Sequence, residues 1–402
     1  MSINQTLMIA IFRYTNIIHD STQVIHGMTE HHDILQDLNK KIPLREKLVA
    51  THKSISEIFP FIVRIAIAIY DPETHILKTY LHSSGEDNPL DNYQALIDEA
   101  PSLKEMLKKG LPRVANNLVT FENGEHEHTR RIGRQGYAAS YTLPMFNNGT
   151  FFGFIFFNAN EKDVFDEHVL RQIDVYGHLI ALMVLNELTS VYTLNAAVKT
   201  TGSFTHFRGA ETGSHLDRMS RYSRLIAAEL AEKYNLDDSY IEHIFMFSPL
   251  HDIGKIGIPD NILLKPGKLN ESERITMNTH VNKGRDMIDT ILNNFGLENI
   301  EYLDMLRNIA EYHHETVNGK GYPAGKKGDE IPLEARIVAV ADVFDALTSK
   351  RPYKESWDNE KAIKMLQKLA GETLDKDCVN ALVKNVDKVV EIQQQFTESI
   401  YG

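Results

Sequence analysis

Along the first half of the chain the spacing of apolar positions changes several times. Residues 3–56 lack strand alternation and predict helix. Residues 64–70 (RIAIAIY) are β-branched and end at Asp71-Pro72, a turn signal, so residues 76–81 predict a hairpin partner. Residues 102–109 predict a short helix stopped by Gly110. Residues 138–146 and 150–158 predict two strands joined by Asn147-Asn148-Gly149, a strong hairpin turn. Residues 166–188 predict a helix. The order helix, hairpin, helix, hairpin, helix predicts an α+β domain with an antiparallel sheet over residues 1–185. Residues 186–210 predict a linker, a helix that then loosens, placed to pair with its copy in a homodimer.

From Thr212 onward the period is that of a helix almost throughout. Met219, Tyr222, Leu225, Ile226 and Leu230 fall at helical spacing within residues 215–234. Further helices are predicted over 238–251, 271–278, 280–293, 300–314, 333–349, 359–370 and 376–394. With no convincing strand among them, residues 211–402 predict an all-α helical bundle.

Composition narrows the possibilities. The chain has 402 residues, 42% of them hydrophobic and 24% charged, which excludes a disordered, collagen-like or disulfide-stapled protein. Net charge is −12 and neither half is basic, so duplex nucleic acid is not expected as a partner. A single cysteine, Cys378, excludes internal disulfides and any Cys-rich zinc site, and predicts a cytoplasmic location. The N-terminus lacks a basic region and a cleavage signal, and no stretch predicts a membrane span.

Eighteen histidines are enough to raise the question of metal, but placement matters more than number. His31-His32 and His126-Glu127-His128 lie among charged residues with no third partner, which predicts solvated surface. In the second half Glu211 and His215 are i,i+4 on one helical face. His251-Asp252 closes a helix with Lys255 three residues on, His280 stands alone, His313-His314 closes another helix, and Asp342 and Asp345 are i,i+3. Imidazole and carboxylate ligands suit Fe, Mn, Zn or Ni, and helical bundles build multi-metal sites from facing helices.

The segments ETGSH, HDIGKIGIPDNILLKPGKL, His280, YHHETVNGKGYP and DVFDALTSKRPYK resemble the HD-GYP domain of the HD phosphohydrolase superfamily, over about residues 190–395. Residues 30–185, closing on SYTLPMFNNGTFFGFIFFNANEKDVFDEHVLRQI, resemble a GAF domain. That second resemblance implies a sensory domain taking a small-molecule ligand or a partner, or one that only packs or dimerises.

The HD-GYP resemblance implies hydrolysis of a cyclic dinucleotide, chiefly cyclic di-GMP to linear pGpG or GMP, at a centre of two or three metal ions, Fe or Mn favoured over Ni or Zn. It implies that Asp252 bridges two metals. His251, His215 and Asp342 would complete one shell, and His280, His313 and His314 another. Glu211 implies a third metal. A hydroxide held between metals is nucleophilic at neutral pH, and metal ions clamp an in-line displacement. Lys255 is expected to neutralise the phosphoryl oxygens, and Asp345 to orient a ligand or manage a proton. Gly321 permits close backbone approach, Tyr322 stacks or hydrogen-bonds, and Arg351 and Lys354 contact phosphate or guanine. Thr316 and Asn318 depart from the usual pattern near the substrate. That keeps 3′,3′-cGAMP open as the alternative substrate. A non-catalytic receptor is the further alternative, disfavoured because no ligand is missing.

Overall fold

The computed structural model describes residues 31, 33–84, 94–118, 136–206, 213–295, 301–349 and 356–397. Glu211, Arg351, Lys354, His32 and His126–His128 lie outside the described residues.

The N-terminal part is a six-stranded antiparallel sheet with helices on both faces. Helix α1 (Leu44–Ile58) precedes β1 (Ile62–Asp71) and β2 (Ile76–Ser83). Two three-residue strands follow, β3 (Gln94–Leu96) and β4 (Arg113–Ala115), flanking α2 (Pro101–Lys109). The second hairpin is β5 (Ala139–Asn147) and β6 (Thr150–Ala159). Strand order is β3-β2-β1-β6-β5-β4. Alternation decides the two faces. Ile65, Ile67, Tyr141, Leu143, Ile155 and Phe157 belong to the main core, while Ala68, Leu77 and Phe154 join Leu103 and Met106 of α2 in a smaller one. Gly110, at φ 62°, ends α2 as predicted. The short β3 and β4 were not predicted, since three residues carry no readable period.

Helix α3 (Glu167–His206) runs 40 residues without a break. No loosening is seen as far as His206, since Gly177 and Gly202 are the helix's only glycines and it holds no proline; residues 207–210 of the predicted linker lie outside the described residues. Gly177 lets this helix approach the sheet, since a Cβ there would lie 2.5 Å from a Leu143 methyl.

The C-terminal part is helical among the described residues, apart from one isolated bridge between Ala370 and Leu374. Its first helices are α4 (Gly213–Tyr234) and α5 (Asp238–Phe247), the latter capped by the Asp237 carboxylate. The helix predicted to reach residue 251 ends earlier. Pro249 lies in a 3₁₀ turn, Ser248–Leu250, that re-aims the chain into His251 and Asp252. A second 3₁₀ turn (Ile253–Gly257) and the short α6 (Asp260–Leu263) follow. Then come α7 (Glu271–Asn278), opened by a capping box on Asn270, α8 (His280–Phe295), α9 (Leu303–Tyr312) and α10 (Leu333–Thr348). Helix α11 (Asn359–Leu369) is followed by α12 (Lys376–Lys384) and α13 (Val386–Gln395), which divide at Asn385 what the period predicted as one helix.

The sheet meets the bundle along α4 and α5. Tyr80 of β2 stacks on His243 of α5 with ring centroids 6.1 Å apart. A cavity of about 450 Å³ lies beside this contact, lined by Tyr70, Asp71, Lys78, Phe151, Arg221 and Phe245 among others. No helix among the described residues is long and apolar enough to cross a membrane.

Candidate metal centre

Five elements of the bundle converge on one point. Asp252, His280, His313 and His314 bring ligand atoms within 4.8 Å of one another, and so do His215, His251 and Asp342. Asp252 lies where the groups meet. Its Oδ1 is 3.0 Å from His280 Nε2 and 3.7 Å from His313 Nε2, and its Oδ2 is 3.0 Å from His251 Nε2. The rings form a continuous cluster, with centroids 6.0 Å apart for His215 and His251, 5.1 Å for His251 and His313, and 4.1 Å for His313 and His314.

Local backbone geometry aims these rings. His251 Nδ1 bonds the Ser248 carbonyl at 2.9 Å, His280 Nδ1 the Met277 carbonyl at 2.8 Å, and His313 Nδ1 the Ile309 carbonyl at 2.8 Å. A carbonyl accepts only, so each Nδ1 carries a hydrogen, and Nε2 is the nitrogen left for a ligand when the ring is neutral. For His215 the acceptor is the Asp345 carboxylate, 2.7 Å from Nδ1. This is the outer-shell pattern of metal-ligating histidines.

The donor atoms pass the same test. The Nε2 atoms of His280 and His313 and Oδ1 of Asp252 are buried without an aligned hydrogen bond. Buried polar atoms are normally satisfied, and a cation among them would satisfy all three together. Protonation states agree. Burial lowers His313, and burial with its neighbour His313 lowers His314 to about 2, so both are neutral. Burial alone would raise Asp252, but Lys255 and His251 outweigh it and hold the carboxyl well below its usual range. Neutral imidazoles around an ionised carboxylate are a hard-to-borderline cation site without thiolates.

The open side of the centre carries the remaining predicted residues. Lys255 Nζ reaches Asp252 Oδ2 at 2.6 Å while staying 30% exposed. Tyr322 lies over His314, ring centroids 4.9 Å apart. Burial and then the Asp252 charge raise its phenol, which stays an O–H donor. Gly321 has to be glycine, because a Cβ there would lie 2.6 Å from Glu315 Cα and closer to the His314 carbonyl oxygen. Asp345 is fully buried behind His215 and accepts from Arg218 Nε at 2.6 Å and Nη2 at 3.0 Å. Of the two roles expected for it, this place suits the orienting one.

Sequence reasoning overlooked Arg218. Its signal was its place three residues beyond His215, one turn along the same helix. Thr316 and Asn318 also have partners within their own loop. Thr316 Oγ1 donates to Asn318 Oδ1 at 2.8 Å, and Lys320 N donates to both side chains at 3.1 and 3.0 Å. Both side chains thus brace the turn that precedes Gly321 and Tyr322.

Residues 210–378 match a family model described as HD domain. The chain is 43% identical over 191 residues to the cyclic di-GMP phosphodiesterase response regulator RpfG of Xanthomonas campestris pv. campestris, covering 48% of each chain. It is 36% identical over 189 residues to a cyclic di-GMP phosphodiesterase of Thermotoga maritima, covering 47% of this chain and 48% of that one. It is 37% identical over 203 residues to 3′3′-cGAMP-specific phosphodiesterase 2 of Vibrio cholerae, covering 50% of this chain and 35% of that one. The chain spans about half, or less, of the length of these relatives. Among solved structures it is similar to the phycoerythrobilin-bound GAF domain of a cyanobacterial phytochrome, at 15% identity and a TM-score of 0.30, covering 38% of this chain and 90% of that one.

Proposed function

We propose that this chain is a metal-dependent cyclic-dinucleotide phosphodiesterase, with cyclic di-GMP as the favoured substrate and linear pGpG or GMP as product. The observation that carries this is the pair of His/Asp groups meeting at Asp252, with a half-buried lysine and a half-buried tyrosine on their open side. The donor set fits two divalent cations, Fe or Mn favoured, one at His215, His251 and Asp342 and one at His280, His313 and His314, with Asp252 between them. Glu211 is the proposed ligand of a third. When bound, such ions supply a water acidified toward about neutral pKa and Lewis-acid contact to phosphoryl oxygens.

The chain's own groups do the rest. Lys255 Nζ would leave Asp252 for a non-bridging phosphoryl oxygen and balance the charge developing there. The Tyr322 O–H would donate to phosphate or its ring would stack on a base. Arg351 and Lys354 are proposed to hold the second phosphate or a guanine edge. Asp345 and Arg218 would keep His215 in its ligating tautomer. The domain limits 1–185, 186–210 and 211–402, and a homodimer paired through α3, belong to the same proposal, as does control by a ligand or partner at the N-terminal domain.

The test uses full-length protein loaded anaerobically with Mn²⁺ or Fe²⁺ and given cyclic di-GMP and 3′,3′-cGAMP in parallel, with linear products followed by chromatography. Faster turnover of cyclic di-GMP is the expected result. Faster turnover of the hybrid ligand would favour the second reading, which rests on its three Vibrio cholerae relatives. Tight binding of either with no product would make the chain a receptor, and neither binding nor turnover would sink the proposal.

A further inference from the structure

Elements that carry the proposed ligands are fastened at a distance from the centre by the N-terminal domain. On α4, Arg221 lies six residues beyond His215 and three beyond Arg218, one turn after another. Arg221 donates to Asp71 Oδ2 at 3.1 Å and to Glu73 Oε2 at 2.6 Å, both in the β1–β2 hairpin. Its guanidinium also lies over the Phe396 ring, 4.1 Å from the centroid. Arg218 donates to the Phe396 carbonyl at 2.9 Å, and the same Arg218 holds Asp345 and through it His215. Gln395 beside it donates to the Glu73 carbonyl at 2.7 Å. Hairpin, C-terminal segment and ligand helix are thus joined by two arginines on one helix.

A parallel fastening reaches α5, which leads to His251 and Asp252. Glu242 accepts from Arg224 Nε at 2.6 Å and lies 3.8 Å from Lys78 Nζ of β2. These groups are out of water, with Lys78 3% and Arg221 9% exposed. Burial alone would raise Asp71, but Lys78 and Arg221 outweigh it and hold the carboxyl below its usual range. The 450 Å³ cavity opens beside them, with Asp71, Lys78, Arg221 and Glu242 in its lining. Ion pairs thus join the hairpin to α4 beside the shared apolar core, and removing one partner of a buried pair is costly.

We infer that Arg221 is a positioning residue for the metal centre, and that the β1–β2 hairpin is the part of the N-terminal domain that sets the centre's geometry. With the hairpin seated, α4 keeps His215 in place; with it displaced, α4 loosens and the His215, His251 and Asp342 group loses its metal first. The coupling thus runs through the hairpin as well as along the continuous α3. This inference rests on the metal-centre reading above and is independent of the substrate.

The test uses the full chain carrying Asp71→Asn, Arg221→Gln, both together, or Glu73→Gln. Two readouts are taken: Mn²⁺ affinity by titration, and hydrogen–deuterium exchange across residues 213–234. The expected result is a loss of Mn²⁺ affinity of about 2- to 30-fold in each single buried variant, with faster exchange in α4. The double variant should be little worse than the worse single one, because the two residues share one interaction. Folded variants with native affinity and native exchange would overturn the inference. Should Arg221→Gln fail to fold, Glu73→Gln decides, since that carboxylate is 57% exposed and its loss buries nothing new; unchanged affinity and exchange there would overturn it equally. Absence of turnover in the native protein would count against the phosphodiesterase reading and leave both readouts informative.

Discussion

Gly254, two residues after Asp252, lies where the Ile253–Gly257 turn crosses the first turn of α8. A Cβ at this position would come within 2.8 Å of the His280 carbonyl carbon, and nearer still to its oxygen and to the Gly284 nitrogen. Carbon atoms in contact sit about 3.5–4.0 Å apart, and all the obstructing atoms are backbone. In Gly254→Ala one of the two segments must retreat by on the order of 1 Å, against a tolerance of about 0.2 Å in metal–ligand distances. His280 is the first residue of α8 and moves with it. Two separate effects are expected. Overpacking costs about 1–3 kcal/mol in metal-free protein. A loss of metal affinity of about 100-fold then removes about 2.7 kcal/mol more of the stabilisation seen at saturating metal.

Urea unfolding with and without Mn²⁺ separates the two. Gly284→Ala, across the same crossing, is the control. Its Cβ would meet Gly254 N and Ile253 Cγ2 at 3.4 Å and Ala310 Cβ at 3.6 Å, all ordinary contacts. Alanine in a helix gains about 0.5–1 kcal/mol over glycine, so this variant should be neutral or slightly stabilised and keep its metal. If Gly254→Ala keeps the native increment of stability on adding Mn²⁺, the reasoning that links this crossing to His280 ligation is wrong.

Asp345→Asn should weaken Mn²⁺ binding by about 10- to 100-fold in equilibrium titration, because the charge that fixes the His215 tautomer is lost; native affinity would deny Asp345 its orienting role. Lys255→Met should lower turnover by about 100- to 1,000-fold while leaving Mn²⁺ affinity intact or improved, since an ammonium competing for Asp252 is removed; steady-state rates beside metal titrations check both halves. A pH dependence of stability is expected from His243, which donates from Nδ1 to the Ser239 carbonyl at 2.7 Å. Burial lowers its pKa to about 4. Between about pH 6.5 and 4 the unfolded chain then binds the proton that the folded chain refuses, so stability drops as pH is lowered, by up to about 1.4 kcal/mol per unit. Urea midpoints of metal-free protein from pH 7 to 5 should show a slope of this sign, to which His313 and His314 add, and His243→Asn should reduce it.

How far the site could be read from sequence depended on whether a residue's partner is local. His251 and Asp252 are neighbours in the chain, His313 and His314 likewise, and the imidazoles of His251, His280 and His313 are each aimed by a carbonyl three or four residues back. That i−3 or i−4 geometry comes with the end of any helix, so a histidine at a helix end already implies a fixed tautomer and an inward Nε2. The two hairpins were legible for the same reason, because alternation and Asn147-Asn148-Gly149 are local signals. Arg218 and Arg221 were not legible. Their partners lie 127 residues away at Asp345 and 150 residues away at Asp71, and nothing in the spacing of an arginine on an amphipathic helix separates a solvated guanidinium from one that ties two domains. The turn-bracing bonds of Thr316 and Asn318 were not legible for a related reason. A polar residue near a substrate loop invites a reading as a substrate contact, whereas short side chains of this type readily bond their own turn. The groups proposed to ligate and the groups that fold could be told apart by type and spacing; the groups that connect them required the third dimension, which is why the connection between the domains is carried by residues that no local pattern marks.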